Sequence, residues 1–166
     1  MRMNEFELID RLRGSLATNA SVVAGAGDDC AILDLGLGER WILFKTDAVV
    51  EGVHFESGAE PERIGRKAIA RCLSDLAANG GTPTAAVITL GLPANYDADV
   101  VAAIYAGMNK IAEEYGLAIV GGETTRNPGG MLISVAMLGT VLKSRCPRRS
   151  GPTPPWPRRT GGSRAG

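Results

Sequence analysis

Apolar residues return at helical spacing in two long stretches of the chain. Ile64, Ala68, Cys72 and Leu76 recur at every fourth position, and Ile69 and Leu73 widen the stripe. That spacing predicts an amphipathic helix. Pro61 suits its first turn, while Asn79-Gly80-Gly81 followed by Pro83 marks its stop. In the second stretch Val100, Ile104, Met108, Ile111 and Tyr115 line one face, PANYDAD caps the start and Gly116 closes the end. A shorter N-terminal helix has Phe6, Leu8, Ile9 and Leu12 as its apolar side.

Compact apolar runs of strand type separate these helices. They are CAILDL (30–35) and WILFKTD (41–47), joined by the turn-like GLGER, then TAAVITLGL (84–92), LAIV (117–120) and MLISVAMLGTVL (131–142). LAIV is read as leading into a loop, GGETTRNPGG. Strands, helix, strand, helix, strands, without strict alternation, predicts an α+β fold: a mixed or antiparallel sheet with helices on one face.

The texture changes at Lys143. The segment 143–166, KSRCPRRSGPTPPWPRRTGGSRAG, holds five of the nine prolines and almost no aliphatic residues. Such a composition buries too little apolar surface to fold, so 1–142 is read as the domain and 143–166 as a basic tail. The formal net charge of zero hides this division. Seven of the eighteen basic residues and none of the eighteen acidic ones lie in the tail. The body is therefore acidic, which argues against nucleic acid as a partner and suits a protein that binds cations.

No apolar run approaches the ~20 residues of a membrane span, and MRMNEFELIDRL is not a secretion signal. Cys30, Cys72 and Cys146 are odd in number and lack metal-type spacing. A disulfide framework is not indicated, and a reducing cytoplasm is the expected location.

Four carboxylate-bearing stretches stand at the ends of predicted elements: GDD (27–29), KTD (45–47), LSD (73–75) and GGET (121–124). Singly each has an ordinary use. Asp28 and Asp29 suit an Asx turn, Asp47 a strand end, Asp75 a pair with Arg71 one turn earlier, and Glu123 a loop cap. Together they ask for more. Asp75 falls in the last helical turn, where the macrodipole disfavours an anion, and Arg71 before Asp75 is the poorer orientation for an i,i+4 pair. Asp28 and Asp29 repel each other unless a cation lies near. Hard oxygen donors without His or Cys clusters point to Mg²⁺, which often bridges carboxylates to nucleotide phosphates. Glycines in GAG and GG let backbone N–H groups approach phosphate oxygens. Neither GxxxxGK[ST] nor GxGxxG occurs.

GDDCAIL, TDAVVEGVHF, IGRKAIARCLSDLAANGGTP and YGLAIVGGETTR, in this order, closely resemble the N-terminal half of the thiamine-monophosphate kinase family, within the aminoimidazole ribonucleotide synthetase superfamily. The resemblance spans roughly residues 4–151. It implies that fold, with sheets from two subunits meeting in a homodimer. It also implies transfer of the γ-phosphate of ATP onto thiamine monophosphate, giving thiamine diphosphate, with several Mg²⁺ ions beside an aspartate cluster. No side chain serves as a nucleophile. By motif, Asp29, Thr46, Asp47, Asp75 and Glu123 would be metal ligands, Gly122, Glu123 and Arg149 would contact ATP, and His54 would touch the substrate. VEGVHF separates this family from ATP-dependent ligases of purine synthesis.

Three positions depart from the family. Lys45 stands where relatives often carry a small hydroxyl ligand, and Glu123 replaces the usual Asp. After RRSG the family continues into a second α/β domain, whereas this chain reads PTPPWPRRTGGSRAG, whose GGSRAG resembles a later GDSAAG motif. Truncation and a shifted reading frame both account for that ending. The missing half would supply further Mg²⁺ ligands and much of the thiamine pocket. The alternative to a kinase is therefore a non-catalytic nucleotide-binding or dimerisation module.

Overall fold

In a computed structural model, residues 4–147 are described. Its strands and helices are assigned from these residues alone. Strand β3 (Arg40–Val50) shows how the layers are sorted: Trp41, Leu43 and Val49 are buried on one face, and Phe44 and Thr46 are exposed on the other. β6 (Leu132–Leu142) alternates in the same way, burying Ile133, Val135, Met137 and Val141.

The described sheet contains six strands. With β1 (Val22–Ala24), β2 (Ala31–Leu33), β4 (Thr82–Leu92) and β5 (Ala118–Arg126), the order is β1-β2-β3-β6-β4-β5. Only β4 and β5 pair in parallel; every other neighbouring pair is antiparallel. The mixed α+β reading therefore holds. Helix α2 (Pro61–Ala78) connects β3 to β4, and α3 (Ala98–Tyr115) connects β4 to β5. A connection between parallel strands has to leave the sheet plane, which is what puts helices over one face.

Both helices end where the sequence signals stand. Pro61 opens α2. The buried Asn79 closes it, its side-chain amide donating to the Asp75 carbonyl at 3.1 Å. Asp97 caps α3 by accepting from the Asp99 N–H at 2.8 Å, and Gly116 ends it in the left-handed conformation. The two helices touch backbone to backbone. A Cβ on Gly65 would lie 1.9 Å from the Ile104 carbonyl oxygen, and one on Gly107 would lie 2.0 Å from that of Glu62. Only hydrogen fits at this crossing. Beneath it Ile69, Cys72, Leu76, Ile104 and Met108 join Leu43, Ile88, Ile133 and Val135 in one aliphatic core. Each large side chain so buried contributes about 1.5–3 kcal/mol.

Several expectations change. Tyr115, counted on the inner face of α3, is 51 % exposed because it is the last residue of that helix. Helix α1 (Glu5–Arg13) forms, with Asn4 and Glu7 making a capping box. Its Leu8, Ile9 and Leu12 stay exposed, uncovered by any described element, and the Phe6 side chain lies outside the described ones. GGETTR belongs to β5 rather than to a loop, since its pairing with β4 continues to Arg126. β1, three residues long, had no pattern to reveal it. Residues 143–147 lie against the domain: Cys146 is buried and Lys143 donates to Asp34 at 2.8 Å. The rest of the predicted tail, 148–166, lies outside the described residues.

Candidate functional site

Two of the four acidic motifs, KTD and LSD, meet through their side chains, and Asp28 and Asp29 of GDD are near enough to act on the neighbouring Cys30. β2 runs antiparallel to β3 with Ala31 opposite Phe44, and the preceding Cys30 lies within the charge influence of Lys45. α2 then sets Asp75 above this corner. The Lys45 ammonium lies 2.5 Å from an Asp75 oxygen and 3.9 Å from Oδ2 of Asp47. Arg71 holds the other Asp47 oxygen at 3.4 Å. The short-range pairing of Arg71 with Asp75 does not form. Asp75 is held instead by a lysine thirty positions earlier in the chain, which offsets its unfavourable place at a helix C-terminus.

The electrostatics of the buried thiols register the same gathering of charge. Burial pushes the Cys30 thiol up to about 11, with Asp75, Asp29 and Asp28 adding to the rise and Lys45 opposing it. Burial likewise pushes Cys72 to about 12, with Asp47 and Asp75 adding. Burial therefore disfavours the thiolate form of both cysteines. For Lys45, burial pulls the pKa down, but the hydrogen bond to Asp75 and the charge of Asp47 outweigh it and the ammonium is held above its ordinary value.

Lys45, Asp47, Lys67, Ala70, Arg71, Ser74 and Asp75 line an open cleft of about 510 Å³. Beside it a smaller hollow of about 290 Å³ is walled by His54, Phe55, Ala59, Arg63, Ile64 and Lys67, with Glu60 at its rim. Lys67 is common to both, and its ammonium donates to the His54 carbonyl. The His54 ring accepts at Nδ1 from the Val50 N–H at 3.1 Å. That contact engages Nδ1 and leaves Nε2 as the ring nitrogen a ligand would meet. Lys67 was not singled out in the sequence, and Arg71 only as a partner for Asp75, although a further signal existed. Arg63, Lys67, Arg71 and Asp75 recur at i,i+4, so one charged row runs along α2 beside its apolar stripe. Arg71 is also strained in polar terms: its Nε is buried with no hydrogen-bond partner among the described residues.

The remaining expected ligands do not reach this corner. Thr46 is exposed on the opposite face of β3 from Lys45 and Asp47. Gly122 and Glu123 lie on the edge strand β5. Register links Asp47 to Val135, Val135 to Ile88 and Ile88 to Gly122. Three strand spacings separate Gly122 from Asp47, about 14 Å. Gly122 is a close-approach position: a Cβ there would lie 1.8 Å from the Ile88 carbonyl oxygen. Glu123 is exposed beside it. Arg149 lies outside the described residues.

Among the described residues no three His, Cys, Asp or Glu side chains stand close enough to hold a metal ion alone. The donor chemistry still fits Mg²⁺, which is commonly bound by one or two carboxylates, with substrate phosphates and water completing its octahedron. Asp47 and Asp75 offer hard oxygens of that kind on an open cleft. No described helix is long and apolar enough to cross a membrane.

The chain is similar to known proteins over most of its length. It is 34 % identical to the thiamine-monophosphate kinase of Bacillus subtilis (strain 168) over 149 residues, covering 89 % of this chain and 46 % of that one. It is 38 % identical to the thiamine-monophosphate kinase of Synechococcus elongatus over 125 residues, covering 75 % and 38 %. The solved structure described as AaThiL complexed with AMPPCP and TMP superposes with a TM-score of 0.76 at 34 % identity, over 86 % of this chain and 44 % of that one. This chain thus spans less than half the length of these relatives. The family described as AIR synthase related protein, N-terminal domain, matches residues 27–141. A match over that much of the chain, on the fold and the acidic corner just described, makes this protein a member of the AIR synthase related family through its N-terminal domain.

Proposed function

We propose that this chain carries the nucleotide- and Mg²⁺-binding half of a thiamine-phosphate kinase, which phosphorylates thiamine monophosphate to thiamine diphosphate with ATP. The observation that supports the reading is the meeting of Asp47 of KTD and Asp75 of LSD at one cleft, beside the hollow lined by His54. Transfer between two phosphates needs little covalent help; it needs two anions brought together and spreading charge stabilised. Mg²⁺ bound there supplies that charge.

Asp29, Asp47 and Asp75 would hold it, and Gly122 and Glu123 would lie along the nucleotide, with Arg149 approaching its phosphates. Nε2 of His54 faces the substrate, and Lys67, standing between the two hollows, presents its ammonium where the substrate phosphate would meet the nucleotide. A homodimer is part of the proposal because the open sheet face exposes apolar side chains such as Phe44 and Leu138. The reading also places the protein in the cytoplasm with no nucleic-acid or membrane partner.

A second reading is a nucleotide-binding and dimerisation module without turnover, since among the described residues no three His, Cys, Asp or Glu side chains stand close enough to hold a metal ion alone. Incubating the chain with ATP, Mg²⁺ and thiamine monophosphate, and separating products by chromatography, decides between them. Thiamine diphosphate formed in proportion to chain concentration supports the kinase. Calorimetric binding of Mg·AMPPCP without product supports the module. Neither product nor binding overturns both.

A further inference from the structure

Asp47 and Asp75 already have cations. Lys45 lies against Asp75 at 2.5 Å and faces Asp47 at 3.9 Å, while Arg71 takes the other Asp47 oxygen at 3.4 Å. Two carboxylates and two basic groups balance in charge, so a divalent ion seeking these oxygens has to compete with Lys45. The lysine is not a loose surface group. Its side chain is 21 % exposed, Asp47 and Asp75 are 20 % and 27 % exposed, and the buried Cys30 and Cys72 lie in the same charged surroundings. β3 aims it: Lys45 shares the inward face with Leu43 and Asp47.

We propose that the Lys45 ammonium is a built-in monovalent cation seated between Asp47 and Asp75, so that a divalent ion enters that position only by displacing it. The inference rests on the reading of this cleft as a metal–nucleotide site, and goes beyond it by assigning one cation place to the protein itself. The physical basis is competition. An ammonium and a metal ion both seek carboxylate oxygens, but a lysine tethered by its strand pays no entropy of association when it binds. A hydroxyl at this position would leave the two carboxylates facing each other and would add an oxygen donor. The chain as it stands should bind fewer divalent ions than a variant with that hydroxyl.

The test counts ions directly. Mn²⁺, a spectroscopic substitute for Mg²⁺, is titrated by electron paramagnetic resonance into the full chain with AMPPCP present. Lys45→Ser is expected to take up one more Mn²⁺ per chain than the wild type, and Lys45→Arg to keep the wild-type number. If Lys45→Ser does not fold, Lys45→Met retains the apolar stem without the charge and is expected to bind the weakest wild-type ion at least tenfold more tightly. Equal numbers and equal affinities in all variants overturn the assignment while leaving the metal site intact. No Mn²⁺ uptake by any variant overturns the metal reading and this inference together.

Discussion

Replacing Gly65 by alanine probes how α2 is held above the sheet, and with it the placement of Lys67, Arg71 and Asp75. The added Cβ would stand 1.9 Å from the Ile104 carbonyl oxygen and 3.0 Å from the Met108 nitrogen. Both obstacles are backbone, so no rotamer change relieves them. Reaching the 3.4 Å of ordinary contact requires α2 and α3 to part by about 1.5 Å, well beyond what a packed interior absorbs without loss. Overpacking of this kind costs about 3 kcal/mol. Alanine's better helix propensity returns about 1 kcal/mol. The balance is about 2 kcal/mol of destabilisation, which lowers Tm by roughly 4–8 °C in a domain of this size. Gly14→Ala is the control, because that glycine has an ordinary φ of −68° and nothing within 4 Å. Scanning calorimetry gives the answer, and Mg·AMPPCP titration of the same samples shows whether the cleft moves with the helix. A Gly65→Ala protein as stable as the control would refute the close crossing of α2 and α3.

Two more outcomes follow from other parts of the molecule. Asp34 accepts from Lys143 at 2.8 Å, from the Gly36 N–H at 3.0 Å and from Trp41 at 3.1 Å, and these bonds, Lys143 first, hold its carboxyl down at about 2. A depressed carboxylate stabilises the fold above its unfolded pKa, and the contribution is lost as pH falls towards the folded value. Asp34→Asn should therefore lower Tm at pH 7 and shrink the Tm loss between pH 4 and 2; a melting profile parallel to wild type at every pH would contradict this. On the open sheet face, Phe44 and Leu138 are cross-strand neighbours, 44 % and 42 % exposed. If this face pairs two copies, the wild type sediments as a dimer at micromolar concentration and Leu138→Lys as a monomer; a monomeric wild type would refute the pairing.

Periodicity alone determined much of this protein. The apolar stripes of α2 and α3, the proline and Asp97 at their starts and Gly116 at an end specify those helices locally, because the signals act within one or two turns. The apolar runs of β3, β4 and β6 did the same for the central strands, and the acidic motifs at element ends singled out Asp47 and Asp75, which line one cleft. Other features were beyond local reading. β5 extends through GGETTR because β4 supplies its hydrogen bonds, and a glycine-rich run carries no side-chain pattern to announce that. Sheet order decided that Gly122 and Glu123 lie across the sheet from Asp47, and strand alternation turned Thr46 away from its neighbours. The partner of Asp75 was also a tertiary choice. Its near neighbour Arg71 went to Asp47, while Lys45, distant in sequence, reached it because β3 runs beneath the end of α2. Short-range spacing decides which elements form; which charge meets which depends on how those elements are stacked.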